Sequence, residues 1–329
     1  MDPVELTKEL AAIYSPTGHE AACVGFLSDL LRRAGYRTLR QPVTPGRENL
    51  YATLDPPVVV FCTHLDVVPP NLPLREDADC LYGRGVCDAK GVAAAMISAA
   101  EQLRQAGERR VGLLFTVGEE AGSDGAKAAA ALEPKGRFLV NGEPTENQLS
   151  IGQKGALRIH LLASGRAAHS AYPEEGVSAI DALLDTLERI RALPLPSDPV
   201  LGSSTLNIGQ ISGGVASNVI PAEASADLLF RTVAPTAPLY EAVSRVLAPG
   251  VRAAVVFETD PVRSPSLAGW DSTVVNYASD LPHLNSWGTG YQLGPGTIRV
   301  AHTDHEQINK NELRTGVERY VRLAKELLG

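Results

Sequence analysis

An α/β fold carrying an inserted α+β domain is predicted for this 329-residue chain by three observations. Buried-looking β-branched runs alternate with amphipathic stretches over the first 150 residues. The middle of the chain changes to half-exposed strands in the order βαββαβ. The last portion then returns to strand and helix. In the first part, Pro3 to Tyr14 and Glu20 to Ala34 have helical periodicity. Val58 to Cys62, Val111 to Val117 and Phe138 to Val140 are short, continuous apolar runs, the pattern of strands covered on both faces. Gly91 to Gln105 predicts a helix with a small, Ala-rich packing face. Strand and helix in alternation imply a mostly parallel sheet.

The inserted part opens with Gly155 to Ser164, which alternates as a half-exposed strand, followed by a helix over Ser178 to Ala192. Ser204 to Ile211 and Ala224 to Thr232 are strands joined by a connection containing Gly, Asn and Pro. Leu239 to Leu247 is a helix and Arg252 to Thr259 a strand. This is the split ferredoxin-like unit. The domains are therefore expected at 1–152 with 261–329, a discontinuous catalytic domain, and at 153–260, the insertion. Ile298 to Ala301 is expected to be a strand and Asn311 to Leu328 a helix.

Composition narrows the function. A formal charge of -8 argues against a nucleic acid or an anionic membrane as partner. The N-terminal residues lack the basic and apolar regions of a secretory signal, and no apolar run is long enough to span a bilayer, so the cytoplasm is the expected location. Cys23, Cys62, Cys80 and Cys87 show no C-x-x-C pairing and fit reduced, space-filling residues.

Chemistry is expected where polar residues follow the buried runs. His64 follows the first, Glu119 and Glu120 the second, Glu143 the third and His302 the segment Ile298–Ala301, while Asp88 precedes the Ala-rich helix. Ligands of open α/β sheets bind outside the carboxyl ends of the strands. Two histidines with several carboxylates suit zinc, with cobalt or manganese as substitutes. One bridging carboxylate can hold two ions roughly 3.5–4 Å apart, the spacing of hydrolytic pairs. Asp88 is assigned as that bridge, His64 and Glu143 to one ion, and Glu120 and His302 to the other, with His305 the competitor of His302. The pair keeps enough positive charge to hold a hydroxide. Glu119, beside a ligand, fits the base that takes the water's proton and passes it to the leaving amine. Asp66 is placed to accept the second N–H of the His64 ring. The glycine-rich stretch Gly83–Gly91 matches no nucleotide-binding spacing.

These residues stand in segments that carry a resemblance. Thr63-His64-Leu65-Asp66, Gly83-Arg84-Gly85 through Asp88-Ala89-Lys90-Gly91, Gly118-Glu119-Glu120 and Gly142-Glu143-Pro144-Thr145 resemble the co-catalytic zinc family containing acetylornithine deacetylase, succinyl-diaminopimelate desuccinylase, aminoacylases and glutamate carboxypeptidases. The likeness runs along nearly the whole chain, in the family's order. It implies two zinc ions per subunit and an insertion that serves as lid and homodimer interface. It also implies that His169, in Gly165-Arg166-Ala167-Ala168-His169-Ser170, stabilises the oxyanion, commonly across the dimer. Asn218 and Arg231, in Ser217-Asn218-Val219-Ile220-Pro221 and Phe230-Arg231, are implied to clamp the substrate carboxylate. The C-terminal Gly294-Pro295-Gly296-Thr297 leading to His302-Thr303-Asp304-His305-Glu306 is most similar to acetylornithine deacetylase. Two stretches depart from the pattern: Pro69 to Tyr82 is short, and Gly269 to Leu293 is compressed and lacks the usual Thr-Asp element. The implied activity is hydrolysis of the amide bond of a small N-acyl amino acid. The alternatives are a dipeptidase or carboxypeptidase acting on short peptides, or a non-catalytic binding protein.

Overall fold

The computed structural model describes residues 1–329, which divide into two compact units. The first comprises Met1–Ile151, Arg263–Thr273 and Ser279–Gly329, and the second Gly152–Val262 and Val274–Ala278. The sequence boundaries near 152 and 260 differ from these by one or two residues, and the short return of 274–278 to the second unit has no counterpart in the sequence reading.

The first unit is built on a mixed sheet. Its strands run in the order Arg37–Thr44, Arg47–Thr53, Val111–Thr116, Val59–His64, Phe138–Asn141 and Thr289–Gln292, then Leu149–Gln153, along which the chain leaves the unit. Only the four strands from Val111–Thr116 to Thr289–Gln292 pair in parallel; the pairs on either side are antiparallel. Val59–His64 and Val111–Thr116 are buried at every residue, which explains their unbroken apolar sequences. The N-terminal hairpin of Arg37–Thr44 and Arg47–Thr53 escaped the sequence reading because its first strand is mostly exposed and rich in Arg and Gln.

Helix Lys90–Gln105 packs against Pro3–Ala11 and Lys310–Leu328. Ala93, Ala94, Ala95, Ala99 and Ala100 are all buried, so small side chains allow close approach on several sides. Gly91 is obligatory there: a Cβ would meet the Val86 carbonyl oxygen at 2.2 Å. The segment Ile298–Ala301 is not a strand. Pro295 and then Gly296, at φ 87°, redirect the chain, only Thr297 bridges to Thr145, and residues 297–301 close turns onto themselves. No helix is long and apolar enough to cross a membrane.

The second unit is a four-stranded antiparallel sheet in the order Thr205–Gly213, Glu223–Thr232, Gly155–Ser164 and Val251–Thr259. Helices Ala179–Arg191 and Thr236–Arg245 complete the βαββαβ order, and they share a core with Leu157, Ile159, Leu161 and Phe230. The strict alternation of Glu223–Thr232 between buried and half-exposed residues is the sequence periodicity made visible.

Candidate metal centre

The sheet of the first unit delivers its polar residues to one place. His64 ends its strand and is 1% exposed. Its Nδ1 lies 2.9 Å from the Asp66 main-chain carbonyl, which can only accept, so that nitrogen carries the ring's proton. Nε2 is thereby left facing Asp88 Oδ1 at 3.2 Å. The other oxygen of Asp88 faces a different imidazole, with Oδ2 3.4 Å from His302 Nε2. That nitrogen also lies 2.9 Å from Glu120 Oε1.

Two trios of donor atoms result, His64–Asp88–Glu143 and Asp88–Glu120–His302, each within 4.8 Å and sharing Asp88. A third grouping, His64–Glu119–Glu120, places Glu119 against the same ring. His305 is not brought in: it is exposed and pairs with Asp304 at 3.3 Å.

Glu119 and Glu120 occupy a short 3-10 turn, Glu119–Ala121, directly after Val111–Thr116. Gly118 enters that turn at φ 77°, and a Cβ there would strike Asp124 Oδ1 at 1.9 Å. The Asp66 carboxylate grips the turn from the other side. Its Oδ1 accepts the Glu119 N–H at 3.1 Å, and its Oδ2 accepts the Glu120 N–H at 3.2 Å and the Thr17 hydroxyl at 2.7 Å. Asp66 faces the His64 ring as expected, its main-chain carbonyl being the nearer acceptor. The Asp66 carbonyl takes that bond, while the carboxylate, occupied by the turn, stands 3.5 Å from Nδ1.

Asp280 joins this neighbourhood although the sequence reading passed over it. It is 1% exposed, accepts the Thr116 hydroxyl at 2.7 Å through Oδ2, and has no hydrogen-bond partner at Oδ1. The only sequence signal was Ser279-Asp280 ahead of an apolar Leu281, in the stretch that departs from the resemblance.

The electrostatics follow from crowding carboxylates in a site whose His64, Asp88 and Glu143 are buried. Burial pushes the carboxyls of Glu119 and Glu143 well above their ordinary range, and neighbouring acids, Asp280 and Glu120 among them, push the same way against His64. Burial also opposes charge on Asp88, yet hydrogen bonds from His302 and His64 hold its carboxyl below the usual range. The His302 ring is pushed up to about 10 by Asp88 and Glu120. Burial works against a charge on His64, which Asp66 and Asp88 nevertheless raise well above its ordinary value. Each imidazole thus needs a cation, a proton or a metal ion, between itself and Asp88. Oxygen and imidazole donors of this kind fit divalent zinc, cobalt or manganese.

His169, Asn218 and Arg231 belong to the second unit. His169 and Val219 form an isolated bridge, and the Ser170 N–H donates to the Asn218 carbonyl at 3.0 Å, so the two predicted segments lie side by side. Both His169 and Asn218 are exposed. The Ala171 N–H donates to His169 Nδ1 at 3.1 Å, which leaves the ring's proton on Nε2. Arg231 lies on the central Glu223–Thr232 strand, between Thr205 and Ala156 and on the face opposite Phe230.

Comparison with known proteins matches residues 60–326 to the model of peptidase family M20/M25/M40. A Peptidase M20 domain-containing protein of Schizosaccharomyces pombe is 36% identical over 97% of this chain and 83% of its own length. A probable carboxypeptidase of Aspergillus clavatus is 37% identical over 98% of this chain and 81% of its own. Among solved structures, a Staphylococcus aureus tripeptidase superposes with a TM-score of 0.82 at 21% identity, covering 99% of this chain and 98% of that one. An M20 family metallo-carboxypeptidase of Sulfolobus solfataricus gives 0.80 at 16%, covering 99% of both. A Bacillus subtilis protein described as a dinuclear metal binding peptidase from M20 gives 0.71 at 13%, covering 99% and 97%. At those identities the solved structures establish the fold, and the family match with the one-third-identical relatives establishes kinship: this chain belongs to peptidase family M20/M25/M40 and is a hydrolase of peptide or amide bonds.

Proposed function

We propose that the chain is a two-metal hydrolase that cleaves an amide or peptide bond beside a free carboxylate. The observation that carries this reading is the pair of Asp88 oxygens, each turned to a different imidazole, in a residue that both donor trios share. His64, Asp88 and Glu143 would hold one ion and Asp88, Glu120 and His302 the other, zinc being the best fit. When bound, the ions supply Lewis acidity and make a water nucleophilic at neutral pH.

The remaining steps fall to the chain's own groups. Glu119, held in place through its main-chain N–H by Asp66, takes the proton of the attacking water and returns it to the leaving nitrogen. His169, with its proton on Nε2, is a neutral donor suited to the developing oxyanion. Arg231 offers a two-pronged cationic fork to the substrate carboxylate, and Asn218 adds a donor. The second unit is further proposed as lid and homodimer module. Its exposed Val177, Leu184, Ile211 and Val215 support a surface that another subunit covers.

The relatives reported above carry carboxypeptidase and peptidase names, which favours short peptides with a free C-terminal carboxylate. An N-acyl amino acid presents the same bond and the same carboxylate. The similarity of the segment from Gly294 to Glu306 to acetylornithine deacetylase keeps this substrate class as the second reading. Zinc- or cobalt-loaded enzyme should be offered dipeptides, tripeptides and N-acetyl and N-succinyl amino acids, each free and with its carboxylate capped as an amide. Turnover confined to the free acids is expected. Equal turnover of capped substrates would overturn the carboxylate reading.

A further inference from the structure

Glu306 lies four residues beyond His302 and is 2% exposed. Its Oε1 accepts three main-chain N–H groups of one loop, from Gly85 at 2.8 Å, Cys87 at 3.1 Å and Asp88 at 3.2 Å. Its Oε2 accepts Arg84 Nη1 at 2.7 Å, and Arg84 is itself 3% exposed. The Glu306 carbonyl takes the Gly83 N–H at 3.1 Å, and from the next residue Gln307–Asn309 pairs with Cys80–Tyr82. The main-chain N–H groups of Gly83, Gly85, Cys87 and Asp88 and the Arg84 guanidinium, all from the loop that ends in Asp88, therefore converge on one residue just beyond the His302 turn. A buried carboxylate with four donors on its side chain is a fixed post, because releasing any one donor strands it without water.

We propose that Glu306 is a positioning residue that sets the Asp88 bridge and the His302 turn as one piece, and that the ion held by Asp88, Glu120 and His302 depends on it more than the other. This rests on the two-metal reading above. Of that ion's three ligands, Asp88 is bonded directly to Glu306 and His302 lies four residues before it in the chain. The other ion loses only the setting of Asp88, because His64 ends a wholly buried strand and Glu143, 4% exposed, follows closely on a strand buried at Leu139–Asn141. His302 has little else to steady it: its side chain is 49% exposed and its backbone sits at φ 62°.

The test is a competition titration of zinc-free protein against a chromophoric chelator, counting equivalents and affinities. Wild type should take two equivalents; if it does not, the two-metal reading fails, whatever the variant shows. Glu306→Ala, folded by circular dichroism, should keep one equivalent within a few-fold of wild-type affinity and bind the second about 10–100-fold more weakly, the loss typical when a ligand's support is removed. Raising free zinc should refill that site. Two equivalents at wild-type affinity, or both weakened alike, would overturn the proposal. Should Arg84, left buried without its partner, prevent folding, the double variant Glu306→Ala with Arg84→Met is read in the same way. Failure of both variants to fold would also overturn it, by assigning Glu306 to the fold rather than to the site.

Discussion

His64, Asp88 and Glu143 are at most 5% exposed, at strand ends or on a loop pinned by buried hydrogen bonds, whereas His169 and Asn218 stand in solvent on paired loops of the second unit. The difference matches the two tasks proposed for them. Carboxylates and imidazoles that are to share dications repel or protonate one another when the ions are absent, so only a rigid scaffold keeps them together. A group that meets substrate charge can stay hydrated until the substrate arrives, and its ordering then adds to binding. Inner groups should therefore govern metal content and chemistry, and outer groups binding and the oxyanion.

The largest effect expected from this contrast is at Glu119. Glu119→Gln should keep its metal content and lose roughly 10²–10⁴-fold in kcat, since a proton carrier is removed and no proposed ligand. Elemental analysis beside steady-state rates checks both halves, and a near-normal rate would assign the proton to another group. His169→Ala comes next, with kcat lower by about 10²–10³-fold and KM little changed, the signature of a donor used in the transition state. Arg231→Ala should act the other way round. A hydrogen-bonded charge is worth about 1.5–3 kcal/mol, so KM should rise about 10–100-fold, and amide capping of the substrate should add little further. Inverted results at these two positions would break the assignment of the second unit's roles.

The smallest effect concerns pH. In metal-free protein the His302 ring is held up to about 10 by Asp88 and Glu120, above its unfolded value near 6.5. Its stabilising contribution is thus complete below about pH 6.5 and is lost as pH rises towards about 10. In loaded protein the rings must be neutral to bind the ions, so proton loss no longer removes an attraction. Melting curves with chelator and with zinc should diverge over that window, the chelated protein falling faster. Parallel curves would show that the imidazoles do not meet the ions.

Much of the fold was legible because its strands are short, apolar and wholly buried, and because Gly155–Ser164 and Glu223–Thr232 alternate cleanly. The cluster was legible where a polar residue follows such a run, as at His64, Glu119, Glu120 and Glu143. His302 was found through a strand that does not exist, since β-branched residues after Gly294-Pro295-Gly296 form turns instead. Asp280 and Glu306 were passed over for a different reason. Their partners lie far away in sequence, 164 residues for Thr116 and 222 for Arg84, and no local periodicity marks such a contact. The Arg37–Thr53 hairpin was missed because a polar, exposed strand carries no apolar alternation.

Asp88 gives the most direct test. Wild-type and Asp88→Ala protein should be loaded with zinc, dialysed mildly and analysed for metal per chain. Two ions in the wild type and at most one in the variant are expected, because both donor trios lose a member at once. Two ions retained in Asp88→Ala would contradict a centre bridged by this residue.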